Sequence, residues 1–599
     1  MNRTRAMMLL AVAGACTALQ AASEATARWV DVSHAVAERE VTGLVQQGTS
    51  AAMWIWSDRY VYRPGEPLTL RWTVKPNNDL YPYTIVAYRI NNQTGARTFL
   101  PNATAEPTDI FGQTVTQGFR IVRVPTATKG VLIGSGGAVL PQTLTIPNEL
   151  GMHTVVVEFR DYTGTRVVKS AYWKIGVVDE YVDLQGNIDA DRTLVNTKAY
   201  LLRGVVGVRN GATLTIQPGT FIFGQTGSQP PSVLLITPSG KIMASGTRSR
   251  PIIMTSRTPT DAIGTRVRGD WGGLLMLGKA PGNVPAEQSF VEGLQPGPDT
   301  QWGGTDENHN CGTLRYVRSE YSGVQLSPNN ETNSIVWAGC GRATVAEYLQ
   351  AHYGNDDAFE WFGGNANGKY LVATYAEDDN LDFQLGWTGS VQFALTLQNP
   401  IDRGNRGIEG DNSEFNNTAT PFSDPRFWNL TIVGSGQPGS SESNSPGIYL
   451  RRGARGRIFN AIVTNWSSTG VQADGSATQA NFDDLTLRMN GILLWRNNLG
   501  AGGGTTLASQ VHSGTLTFAE GTRGEGRNFV VEDPLLRRPL EHSDPDFRPM
   551  TGSPVFRPTW LRPPDNGFFD QSANFLGAFG EVDWSEEWTN FHVEQDVAP

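Results

Sequence analysis

One pattern recurs in this chain at a fixed offset of 22 residues, and it narrows the possible folds more than any other feature. Residues 347–360 read Glu-Tyr-Leu-Gln-Ala-His-Tyr-Gly-Asn-Asp-Asp-Ala-Phe-Glu, and residues 369–382 read Lys-Tyr-Leu-Val-Ala-Thr-Tyr-Ala-Glu-Asp-Asp-Asn-Leu-Asp. Tyr348 falls on Tyr370, Leu349 on Leu371, Ala351 on Ala373 and Tyr353 on Tyr375. Asp356 falls on Asp378, Asp357 on Asp379 and Glu360 on Asp382. A repeat of this length marks a solenoid, and Tyr-Leu-x-Ala-x-Tyr alternates as a strand does, without a helical stripe.

If each repeat is one coil of a parallel β-helix, equivalent residues stack about 4.8 Å apart. Asp356, Asp357, Glu360, Asp378, Asp379 and Asp382 then crowd into two adjacent coils. Like charges that close repel by roughly 1 kcal/mol per pair even in water. A hard cation with oxygen ligands offsets this repulsion most simply, and calcium suits a flexible carboxylate cage. A single Asp-Asp in a loop is ordinarily a solvated turn; two copies in register are not explained that way.

The offset extends upstream. Tyr316-Val317-Arg318-Ser319-Glu320-Tyr321 matches residues 348–353 at an offset of 32, which places an insertion of about ten residues near 324–335. Downstream, Gly407-Ile408, Gly447-Ile448, Gly470-Val471 and Gly491-Ile492 each set a glycine before an aliphatic residue expected in the core. Glycine there suits a tight corner. Near Asn210-Gly211-Ala212-Thr213-Leu214-Thr215-Ile216 the chain resembles the first coils of bacterial right-handed β-helices. Residues 279–310, rich in Pro, Gly and Asp, read as a long loop leaving the solenoid.

The expected fold is therefore all-β. A right-handed parallel β-helix over residues 179–530 follows an immunoglobulin-like β-sandwich over 28–178. The sandwich rests on the alternating strands at 68–74, 84–90 and 153–160, with turns every 10–15 residues. It is expected to act as a spacer or cap, or to bind carbohydrate. Residues 531–599 lose the periodicity but carry Phe568, Phe569, Phe575, Phe579, Trp584 and Trp588, and are expected to pack back on the solenoid as a cap.

Residues 1–27 read as an export signal: Arg3 and Arg5 precede an apolar run from Ala6 to Ala15 and then small residues. Cleavage near Ala22 or Ala27, or lipoprotein processing at Cys16, fits this segment. No later stretch reaches the ~18 apolar residues of a membrane span, so no transmembrane span is expected in the mature chain. Cys311 and Cys340 then remain, to pair in an oxidising compartment or to lie buried as thiols. A formal net charge of −10 argues against a nucleic-acid partner, which needs a basic face.

Asp378-Asp379-Asn380-Leu381-Asp382, with Asp356 or Asp357 one coil before, resembles the calcium site of the family-nine pectate lyases. These are secreted right-handed β-helix enzymes whose calcium is held by Asp-Asp-x-x-Asp plus an aspartate from the preceding coil. In that family a lysine on a later coil abstracts the α-proton of the uronate, but this chain has Gly407-Ile408-Glu409-Gly410 at the corresponding strand. If the resemblance extends to catalysis, Glu409, Arg406 or Arg451 is the base, since an arginine serves in other pectate lyases. His352, Arg403 and Arg452 are the expected substrate contacts. The same arginines fit surface ion pairs with Asp402, Glu409, Asp411 and Glu414, and His352 fits a structural role. Zinc spacing, phosphate loops and nucleophile elbows are missing.

Three functions fit. The first is a secreted or cell-surface calcium-binding β-helix that binds an extracellular polysaccharide or other surface component, or acts as a scaffold. The second is a calcium-dependent lyase of acidic polysaccharide. The third is a β-helix glycoside hydrolase using paired carboxylates.

Overall fold

The computed structural model describes residues 52–75, 84–99, 144–146, 148–160, 167–327, 330–401, 404–438, 445–512, 515 and 527–593. Ahead of the solenoid, Ala52–Ser57 pairs antiparallel with Leu70–Lys75. Val167–Val177, Gly151–Arg160, Thr84–Asn91 and Arg97–Phe99 form a second, antiparallel sheet, with Val61–Tyr62 added parallel at its edge. Trp54, Trp56, Val155, Val157, Trp173 and Ile175 share one core, and that core runs on into Phe221, Phe223 and Ile253 of the first coils. The immunoglobulin-like expectation falls in part on residues 76–83 and 100–143, which lie outside the described residues, as does the expected export signal.

From Glu180 onward every pairing between successive coils is parallel, and the chain forms a right-handed parallel β-helix with three faces. In the early coils two faces are built by separate strands. Thr213–Ile216 continues to Lys241–Ser245, while Lys198–Arg203 continues to Phe221–Gln225 and Ile252–Arg257. Both ladders meet on Gly312–Glu320, whose first half pairs with Lys241–Ser245 and second half with Ile252–Arg257. After it, one long strand per coil serves both faces: Val345–His352, Gly368–Thr374, Ser390–Leu397, Arg426–Val433, Gly456–Thr464 and Leu487–Trp495.

Each long strand turns the corner at one residue of positive φ. These residues are Tyr316 (48°), Tyr348 (54°), Tyr370 (59°), Phe393 (60°), Asn429 (58°), Asn460 (56°) and Gly491 (69°). The pairing steps over them, from Arg315↔Glu347 to Val317↔Leu349 and from Glu347↔Lys369 to Leu349↔Leu371. A side chain in this conformation costs about 1–2 kcal/mol. Ring stacking, about 0.5–1.5 kcal/mol per pair, offsets part of it: Tyr316, Tyr348, Tyr370 and Phe393 stack in series at 4.4, 4.3 and 4.8 Å. Asparagine tolerates the conformation better; Asn429 donates to Phe575 O and Asn460 to Leu561 O, both at 2.7 Å.

The third face is the nine-strand ladder that includes Leu274–Leu277, Ile335–Ala338, Phe359–Phe362, Leu381–Gln384, Ile408–Asp411, Ile448–Arg451 and Val471–Ala473. Inside the coils Trp337 stacks on Trp361 at 5.2 Å and Trp361 on Trp387 at 4.6 Å, all fully buried. The insertion near 324–335 is a short antiparallel hairpin, Gln325–Ser327 with Asn330–Glu331. Cys311 and Cys340 are disulfide-bonded. The loop over 279–310 folds back on the third face, with Val291 and Trp302 against Leu275, Val336, Phe362 and Leu385.

The C-terminal segment packs back along the solenoid as a strap over the second face, the one formed by the later half of each long strand. The outward positions there are partly apolar, and Val372, Leu395, Leu397 and Val433 share a core with Phe547, Phe579, Trp588 and Val593, while Gln350 and Thr431 hydrogen-bond the strap at Asn590 and Ala578. The strap reaches the first body, where His592 stacks on Trp173 at 5.0 Å and Lys174 Nζ donates to Glu587 at 3.0 Å. No helix among the described residues is long and apolar enough to cross a membrane.

Candidate cation site

Period-2 alternation sends Phe359 and Trp361 into the core and Glu360 outward. The register then stacks Glu360 on Asp382, Asp382 on Glu409, Glu409 on Tyr449 and Tyr449 on Gln472. Two residues further along the strand, Asp411 stacks on Arg451. The turn entering the third face carries a second row. Asn333 Oδ1 accepts the Asp357 N–H at 3.0 Å, Asp357 Oδ1 accepts the Asp379 N–H at 2.9 Å, and Asp379 Oδ1 accepts the Arg406 N–H at 2.7 Å.

Turn row and strand row converge. Asp356, Asp357 and Asp378 each offer a carboxylate oxygen, all within 4.8 Å of one another, and Asp357, Glu360 and Asp382 form a second such set. Calcium bound at about 2.3–2.6 Å needs ligand oxygens within about 5 Å of each other, so both sets have the right span. Asp382 Oδ1 is buried without a hydrogen-bond partner, as an oxygen reserved for a cation would be. Burial first, and then the neighbouring acids, push these carboxyls well above the usual range. For Asp357 the neighbours are Asp382, Asp356 and Glu360; for Glu360, Asp382 leads; for Asp356, Asp378 leads; for Asp382, Glu409 leads. Fully ionised, the cluster needs added positive charge.

The expected catalytic residues join this cluster, but as ion pairs. Arg406 reaches Asp379 at 3.4 Å and Glu409 at 2.7 Å. Arg451 pairs with Glu409 and, at 2.9 Å, with Asp411. Arg452 holds Asp411 at 2.6 Å and Glu414 at 3.8 Å. Arg406 and Arg451 also lie over the Tyr449 ring at 4.7 and 5.5 Å. The pairing expected at the surface therefore engages buried acids. Glu409 is 6% exposed, and burial outweighs Arg406 and Arg451 to push its carboxyl up to about 7.

His352, expected at the groove, is elsewhere. It ends a long strand on the second face, fully buried, with Nδ1 2.8 Å from Thr374 Oγ1 and its ring against Tyr321, Tyr353 and Tyr375. Burial holds its imidazole well below the ordinary range. Alternation along a strand does not reveal that the C-terminal strap covers that face. Arg403 and Asp402 lie outside the described residues.

Two contributors were missed in the sequence. Glu292, from the long loop, sits close enough to Asp356 and Glu360 to raise both, and its own carboxyl is pushed up to about 7 by burial and then by Glu331, Glu414 and Asp378. Asn333, just past the hairpin, donates to Glu360 and begins the turn row. Its signal was its place one coil before Asp357, hidden by the insertion.

Fold and site together define a right-handed parallel β-helix protein with an acid-lined third face. The chain belongs to the pectate-lyase-like beta helix domain family, which residues 186–532, more than half of its length, match. No curated protein matches it. A solved family 28 exopolygalacturonase of Yersinia enterocolitica aligns over 74% of this chain and 98% of that one at 10% identity. The TM-score of that alignment is 0.18, too low to carry an argument.

Proposed function

We propose that this is an exported, calcium-binding β-helix protein that holds acidic polysaccharide at the cell surface or outside the cell. The observation that carries the reading is the pair of carboxylate sets, each within 4.8 Å, with the unpartnered Asp382 Oδ1 among them. Asp356, Asp357, Glu360, Asp378 and Asp382 would hold the cation. Bound there, it supplies positive charge that can also meet the carboxylates of an acidic sugar. Family membership supports a polysaccharide as partner, and the Cys311–Cys340 disulfide supports an oxidising compartment. Binding is favoured over cleavage because Arg406 and Arg451 are each held by two carboxylates.

One observation favours a second reading as a lyase. Glu409, pushed up to about 7 and flanked by two arginines, has the proton affinity of a general base or acid near neutral pH. Incubation with a panel of acidic polysaccharides and calcium separates the two. The binding reading predicts retention on at least one polysaccharide, release by chelator, and no growth of absorbance from an unsaturated product. Absorbance that grows, and falls by roughly 10²–10⁴-fold in Glu409→Ala, would establish the lyase instead. No retention on any of them in calcium would end the binding reading.

A further inference from the structure

The carboxylate cluster contains more negative charge than one divalent ion matches, and the excess is sorted in space. Arg406, Arg451 and Arg452 pair with Asp379, Glu409 and Asp411. Among the described residues, no lysine or arginine nitrogen lies within 4.0 Å of Asp356, Asp357, Glu360, Asp378 or Asp382. A single calcium would leave three of these five charges unmatched, and two would leave one.

The five oxygens also do not form one compact set. They form two trios, and only Asp357 belongs to both. The outer trio is completed by Asp356 and Asp378, both half-buried. The inner trio is completed by Glu360 and Asp382, at 2% and 7% exposure, and the Oδ1 of Asp382 is buried with no hydrogen bond to satisfy it. Buried carboxylate oxygens are ordinarily hydrogen-bonded, so this atom points independently to a ligand in the inner trio. A carboxylate accepts at both oxygens. Asp357 can therefore keep the Asp379 N–H and still serve both trios.

We infer that the cluster binds two divalent cations bridged by Asp357: an inner one on Glu360 and Asp382, and an outer one on Asp356 and Asp378. The inner ion is shielded and locks successive coils. The outer ion sits at the half-buried rim, where an acidic sugar can reach it. This rests on the calcium reading above and divides it into two roles.

Equilibrium dialysis of the full chain against calcium at about 1 mM, the weak end of extracellular sites, followed by measurement of bound metal, tests the inference. Two ions per chain are expected. Asp356→Asn and Glu360→Gln should each retain one, with the ion left in Asp356→Asn exchanging more slowly than the ion left in Glu360→Gln. One ion in the wild-type chain would overturn the two-ion inference and leave the calcium reading standing. None would overturn both. Because the wild-type count decides, failure of either variant to fold does not protect the proposal.

Discussion

Asp357 Oδ1 accepts the backbone N–H of Asp379 one coil further on, at 2.9 Å. This aspartate therefore has two separable jobs: a neutral one in the turn row and a charged one in the cluster. Asparagine retains the acceptor and removes the charge. In chelator, Asp357→Asn should melt at or above the wild-type temperature, while Asp357→Ala should lose about 1–3 kcal/mol by leaving a buried N–H unsatisfied. In calcium both variants should lose part of the metal-dependent gain. Equal destabilisation of the two variants in chelator would mean that the hydrogen bond is not what holds the turn.

Acidification should favour the buried carboxyls of the metal-free protein. Burial and neighbouring acids raise Glu292 and Glu409 from 4.5 to about 7. Between those values the folded chain binds protons that the unfolded chain releases, so stability falls as pH rises through the window. Buried His352 and His592, held below the ordinary imidazole range, act in the opposite direction, so the comparison is made against Glu409→Gln. In chelator, the melting temperature of the wild-type chain relative to Glu409→Gln should be higher at about pH 5 than at about pH 7.5. A relative melting temperature that rises with pH over this range would contradict the assignment.

The strap should be a large contributor to stability. Trp588 is fully buried, edge-on to Tyr316 and Tyr348 of the aromatic stack. Its replacement by alanine should cost about 3–5 kcal/mol and expose the C-terminal segment to limited proteolysis before the coils are cut. A loss below about 1 kcal/mol, the range of ordinary surface changes, would mean that the strap does not hold the second face.

Much of this was legible because a solenoid repeats its chemistry. The match of Tyr348 to Tyr370 at 22 residues becomes a ring stack at 4.3 Å, and the match of Glu360 to Asp382 becomes a register pair. Asp382 also meets Glu409 in register although the coil between them is longer. What repetition does not encode was missed. Glu292 reaches the cluster from a loop with no counterpart in other coils, and the hairpin insertion hid Asn333's place in the turn row from the sequence. For His352 the groove and a structural role both stayed open in the sequence, because covering the second face depends on a C-terminal segment distant in sequence, which a local strand pattern cannot reveal. The pairing of Arg406 and Arg451 depends on buried acids whose depth only the fold sets.

Thermal melting of the wild-type chain in chelator and then in calcium up to the millimolar range tests whether the acid-lined third face binds calcium. A cation bound only by the native state must raise the melting temperature with concentration. The expected result is a concentration-dependent rise that Asp378→Asn with Asp382→Asn, one ligand from each trio, abolishes. A melting curve unchanged by calcium across that range, about the weak limit of extracellular sites, would contradict it: the acid-lined face would then not be a calcium site.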